Sequence, residues 1–213
     1  MLDEHGNPVP PGHFLPAAER FDIITDIDYW VVEAAFKALN QNPTFLSSIT
    51  FVSINLSGPS LATKDFHAFV KTKLSHYQIP AHKICFEITE TAAITNLHSA
   101  NQFITQMKQL GCQFALDDFG SGLSSFGYLK QLPVDYLKID GIFVKDIESD
   151  PIDLAMVKSI NQIGQVMGMK TIAEFVENEN IKTILVELGV NYAQGYGIGK
   201  PIPLEQLLDH RIS

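Results

Sequence analysis

The chain has 213 residues, 46% hydrophobic and 18% charged, with a net charge of −9. That size and balance suit one globular domain with a full core, and an acidic chain without a basic block excludes broad electrostatic binding to duplex nucleic acid. No apolar run approaches a membrane span and none at the start reads as a secretory signal; Cys85 and Cys112 lack CxxC spacing, which argues against a zinc site or a disulfide scaffold and for a reduced, cytoplasmic setting.

Residues 1–14 are polar and rich in Pro and Gly, and read as a loop. A helix is expected from about Ala17 to Leu39, with Ile24, Ile27, Val31, Ala34 and Ala38 on one stripe and Trp30 beside it in the core. Asn42-Pro43 ends it. A strand–helix unit then repeats. Strands are expected at 49–55, 83–89, 113–117, 136–140, 170–174 and 191–194. Helices are expected at about 60–76, 96–110, 124–130, 152–167, 179–188 and 204–210. Three of these helices run into glycine, at Gly111, Gly168 and Gly189, a residue that supplies the left-handed cap. Such alternation argues a parallel sheet, either barrel or doubly wound.

Parity within the strands separates those two. Successive strand side chains point to opposite faces. Phe51, Ser53 and Asn55 share one face, as do Cys85 and Glu87, then Gln113, Ala115 and Asp117, then Tyr136, Lys138 and Asp140. The opposite face is greasy and suits packing on outer helices. The polar strand ends form a set: Asn55, Glu87, Asp117, Asp118, Lys138, Glu174 and Gln194. Convergence of six strand ends on one mouth favours a (β/α) barrel, where such folds place their chemistry. Four acids and an amide oxygen suffice to hold two hard divalent cations, Mg²⁺ or Mn²⁺. Two such ions suit hydrolysis of a phosphodiester, with the lysine offsetting developing charge. Any one of these residues alone reads as a capped strand end, an internal ion pair or a solvated helix start.

The sequence resembles the EAL domain family, cyclic di-GMP phosphodiesterases of bacterial signalling, over nearly its whole length. The resemblance rests on Asn55-Leu56-Ser57, Glu87-Ile88-Thr89-Glu90, Asp117-Asp118-Phe119-Gly120-Ser121-Gly122, Leu132-Pro133-Val134-Asp135, Lys138-Ile139-Asp140, Ala173-Glu174 with Val176-Glu177, and Gln194-Gly195-Tyr196 with Pro201. It implies a TIM-type barrel and opening of cyclic di-GMP to linear pGpG. It further implies that Asn55, Glu87 and Asp117 bind one metal, that Asp117, Asp118 and Glu174 bind or bridge a second, and that Lys138 sits by the hydrolytic water. Glu177 would contact a guanine edge and Gln194 would line the site. The Gly120–Gly127 loop resembles one that couples dimerisation to metal binding, so a homodimer is an expected partner, as are fused or paired sensory or cyclase domains.

Two departures from the family pattern stand out. Phe175 occupies a position where the family usually has Gly, and the Glu-Ala-Leu tripeptide is not in this sequence. In the family that tripeptide precedes the segment resembling Asp3 to Glu19 and supplies a metal-binding Glu, with a phosphate-holding Arg soon after. Six strands against the eight of a full barrel imply one EAL-type domain over 1–213 that lacks its first strand pair, an open barrel, and impaired turnover. The alternatives are an inactive cyclic di-GMP receptor and a protein-interaction domain.

Overall fold

The computed structural model describes residues 4–6, 9–120, 122 and 126–209, with backbone only at 126 and 209. Six parallel strands form one sheet in sequence order: β1 (Val52–Leu56), β2 (Ile84–Thr89), β3 (Gln113–Phe119), β4 (Tyr136–Ile139), β5 (Lys170–Ala173) and β6 (Tyr192–Ala193). Neighbouring strands lie about 4.8 Å apart, so β1 and β4 of a flat sheet would be roughly 14 Å apart. Yet the rings of Phe51, just before β1, and Tyr136 on β4 are 5.1 Å apart. The sheet therefore curls into a half-barrel whose edges are β1 and β6. Among the described residues the expected count of six strands and the open barrel are both observed.

The two faces divide as strand parity requires. Ile54, Ile84, Phe86, Ile88, Phe114, Leu116, Leu137 and Ile139 join the main core beneath the helices. Cys85, Ala115, Tyr136 and Ile172 form a smaller apolar cluster on the concave face. Helices on the convex side include α5 (Lys64–His76), α7 (Leu97–Leu110), α9 (Pro151–Val166) and α10 (Glu179–Glu187). Phe103 of α7 anchors this layer edge-on to Phe114, with ring centroids 5.8 Å apart. Full burial of one such ring is worth roughly 1.5–3 kcal/mol. Gly111, Gly168 and Gly189 all adopt positive φ, as caps require.

The N-terminal helix differs from expectation. It is two helices, α1 (Pro11–Arg20) and α2 (Ile24–Gln41). Asp22 takes the left-handed conformation, φ 57, while Ile23 N–H donates to Ala18 O and Asp22 N–H to Glu19 O. This is a helix-ending motif built without glycine, which concealed it. The buried stripe of α2 is Ile24, Asp28, Val32, Phe36 and Leu39. Trp30 is two residues, about 200°, around the helix from Asp28, and is 70% exposed rather than in the core. The helix expected at about 60–76 is two, α4 (Gly58–Ala62) and α5, parted at Thr63, and three short helices differ from expectation: α3 (Pro43–Ser48), α6 (Glu90–Thr95) and α8 (Gly141–Val144). The last helix, α11, spans Leu204–Asp209. Among the described residues no helix is long and apolar enough to cross a membrane.

Candidate functional site

The concave mouth gathers most of the expected residues around one ammonium. Lys138, on β4, is 2% exposed. Its Nζ lies 2.7 Å from Glu87 Oε2 of β2, 2.7 Å from Asp117 Oδ1 of β3 and 2.8 Å from Glu174 Oε1 just past β5. Burial alone would push the lysine pKa down. The carboxylates of Glu87, Asp117 and Glu174 reverse that and hold it above the ordinary lysine range.

Asp117 and Asp118 are adjacent, so strand alternation would send them to opposite faces. A register shift between Leu116 and Phe119 prevents this. Leu116 pairs with Leu137 and Phe119 with Ile139, so β3 carries one extra residue. Asp118 sits in that bulge with φ 55, and its N–H donates to Asp117 Oδ1 at 3.1 Å. Bulges re-aim side chains in this way. As a result, oxygens of Asp117, Asp118 and Glu174 all lie within 4.8 Å of one another. Desolvation, then the charges of Asp117 and Asp140, raises the Asp118 carboxyl pKa. Burial raises that of Glu174 against the opposing pull of Lys138.

Asn55 stands on the strand next to Glu87. It is exposed at the end of β1, in register with Glu87. Glu177 and Gln194 lie together with Glu174 around a cleft of about 280 Å³ that Phe175, Gly195 and Tyr196 complete. The chain closes on itself tightly here. Val176 N–H donates to Gln194 O at 3.0 Å, and a Cβ on Gly195 would come within 2.3 Å of Val176 N. Only glycine fits that approach.

Phe175 has φ 52 and is 59% exposed. A left-handed conformation is why glycine suits this position. The ring lies over Gly141, where an added Cβ would fall 2.0 Å from Phe175 Cδ2. Phe175→Gly is therefore expected to keep a urea midpoint no lower than the parent's, since relief of about 1 kcal/mol of strain offsets the lost ring contact. Phe175→Val, β-branched at positive φ, is expected to lose about 1–2 kcal/mol.

Glu90 belongs to the Glu87-Ile88-Thr89-Glu90 motif, whose pattern alone assigns it no role. It is buried, and it accepts from Gly120 N–H at 3.2 Å and Tyr128 OH at 2.6 Å. It thus grips the Gly120–Gly127 loop from both ends. Within that loop Ser121, Leu123, Ser124 and Ser125 lie outside the described residues, and a 3₁₀ turn follows at Phe126–Gln131. Asp140, also unassigned, accepts from Ile142 N–H at the start of α8.

Comparison with known proteins bears on this site. The family model described as the EAL domain matches residues 1–201. The chain is 47% identical over 199 residues to the cyclic di-GMP phosphodiesterase PdeB of Shewanella oneidensis, covering 93% of this chain and 23% of that protein. It is 39% identical over 209 residues to the cyclic di-GMP phosphodiesterase PdeF of Escherichia coli, covering 98% and 28%. The chain thus spans about a quarter of the length of these curated relatives. Among solved structures, the PaMucR phosphodiesterase in complex with c-di-GMP superposes with a TM-score of 0.88 at 32% identity, over 96% of this chain and 83% of that one.

Proposed function

The chain belongs to the EAL domain family, and from that premise we propose that it hydrolyses cyclic di-GMP to linear pGpG with Mg²⁺ or Mn²⁺. The observation that carries this reading is the convergence of Glu87, Asp117, Asp118 and Glu174 around Lys138 at one mouth, beside an open cleft.

The donor set fits a hard divalent cation. An ion about 2.0–2.6 Å from each oxygen ligand spans oxygens up to roughly 4–5 Å apart, which matches the spacing of Asp117, Asp118 and Glu174. Burial first, and neighbouring acids second, raise the carboxyls of Asp118 and Glu174, and a cation would favour their charged forms. Asn55, Glu87 and Asp117 would hold one ion; Asp117, Asp118 and Glu174 would hold or bridge the other. When bound, such a pair supplies Lewis acidity and an activated water.

Lys138 has two tasks in this reading. It fixes the orientation of three carboxylates and keeps a positive charge beside the attacked phosphate. Glu177 and Gln194, exposed along the cleft, present an acceptor and an amide to a guanine edge. Residues 1–213 form one EAL-type unit in this reading.

The test is incubation with cyclic di-GMP and Mn²⁺ or Mg²⁺, with nucleotides separated by chromatography. Linear product that disappears with a chelator is the expected result. Saturable binding without product would replace hydrolysis by a receptor role, and neither product nor binding would overturn the assignment.

A further inference from the structure

A buried acid outside the mouth is unexplained by the proposed chemistry. Asp28 lies on the core-facing side of α2 and is 6% exposed. Burying a carboxylate is costly unless it is well paired. Among the described residues no lysine, arginine or histidine forms an ion pair with it. Instead three neutral donors converge on one oxygen. Ser57 N–H lies 2.9 Å from Asp28 Oδ2, Ser57 Oγ 2.6 Å and Ser60 Oγ 2.6 Å. Bonds to an ionised acceptor are stronger than neutral ones, so this is a firm clamp on one short stretch of chain.

The place of the clamp matters. Ser57 is two residues beyond Asn55, at the exit of β1. Among the described residues β1 is an edge strand, so the sheet ladder holds it from the β2 side alone. Asn55 is in register with Glu87 there, and its side chain is exposed rather than packed. Neither a second ladder nor core packing fixes it. The clamp binds the backbone just past Asn55 to α2, which packs on β1 and α5.

We infer that Asp28 is a positioning residue that sets Asn55 at cation-binding distance from Glu87 by tying the exit of β1 to α2. This rests on the reading of Asn55 as a cation ligand. Ligand groups must be held within about half an ångström of their working geometry. Removing a supporting group typically weakens metal affinity about 10–100-fold. Asp28→Asn keeps the shape and an acceptor oxygen but removes the charge, and with it much of the grip on three donors.

The experiment is calorimetric titration with Mn²⁺, accompanied by melting temperatures. Asp28→Asn is expected to weaken Mn²⁺ binding about 10-fold, and Ser60→Ala, which removes one donor, by less. Glu33→Gln serves as the control. It loosens α2 elsewhere, where Glu33 accepts from Lys73 and Tyr77 of the α5 region, and should leave the affinity unchanged even if it lowers the melting temperature. The deciding arm is the Asn55→Ala background. If Asp28 acts through Asn55, Asp28→Asn there costs no further affinity.

Wild-type affinity in Asp28→Asn, an equal loss in Glu33→Gln, or an undiminished extra loss in the Asn55→Ala background would each overturn the inference alone. Failure of the wild type to bind Mn²⁺ would overturn the metal reading and the inference with it.

Discussion

Lys138→Met is expected to lower the unfolding free energy by about 3–5 kcal/mol at neutral pH and, under the proposed function, to reduce phosphodiesterase turnover about 10²–10³-fold. The variant removes the cation that, among the described residues, touches Glu87, Asp117 and Glu174, and leaves three carboxylates facing one another. The sign with pH follows from linkage. A lysine held above its unfolded value contributes fully below about pH 10.4 and loses that contribution only as pH rises through the folded value. The wild type therefore has the whole contribution between pH 5 and 8, and the variant has none. In the variant Glu174, already raised by burial, no longer feels the ammonium that opposed the shift. Its native state then takes up protons ahead of the unfolded chain, so the deficit shrinks as pH falls. Urea unfolding at pH 7.5 and pH 5 measures this. A deficit of equal size at both would refute the electrostatic account.

Glu90→Ala should be the second large loss, about 2–3 kcal/mol of stability and about 10–100-fold in turnover. Its two oxygens accept from Gly120 N–H and Tyr128 OH, one at each end of the loop that follows Asp117 and Asp118. Truncation deprives two donors of a buried acceptor at once and frees the loop from α6. Glu90→Gln keeps one acceptor oxygen and should recover part of both losses. Amide exchange at Gly120 gives an independent readout, because protection there should fall in the Ala variant before global unfolding. Unchanged exchange together with unchanged turnover would remove Glu90 from any role at the site.

The strand positions and their two faces were legible because a strand offers its side chains only two directions. Glu87, Asp117 and Lys138 could be assigned to one face by counting in twos, and Lys138 does meet both acids. What counting could not give was the bulge. Alternation sends Asp118 away from Asp117, and the single extra residue between Leu116 and Phe119 brings it back. The helix break at Asp22 carries no glycine signal, because the left-handed residue is an aspartate. The stripe on α2 was placed beside the true one because Ile27, Val31 and Ala34 are as apolar as the buried Val32 and Phe36. Asp28 and Glu90 were not legible at all, since their partners are about thirty residues distant and only the folded chain brings them together. Phe175 is visible in the sequence as a departure, but the positive φ beneath it is a property of the backbone.

The strand order also bears on how the molecule forms. Each strand is hydrogen-bonded only to its neighbours in sequence, from β1 through to β6. Among the described residues no ladder joins the two edges, so no pairing within this sheet must wait for distant parts of the chain to meet. Each closure spans little more than one strand–helix unit, which keeps the entropy of loop closure modest at every step. Successive units can therefore dock one at a time as they leave the ribosome. The acidic mouth belongs to the later stages of that sequence. Asp117 emerges before Lys138, and Glu174 after it, so the carboxylates of Glu87 and Asp117 remain solvated until β4 arrives with its ammonium.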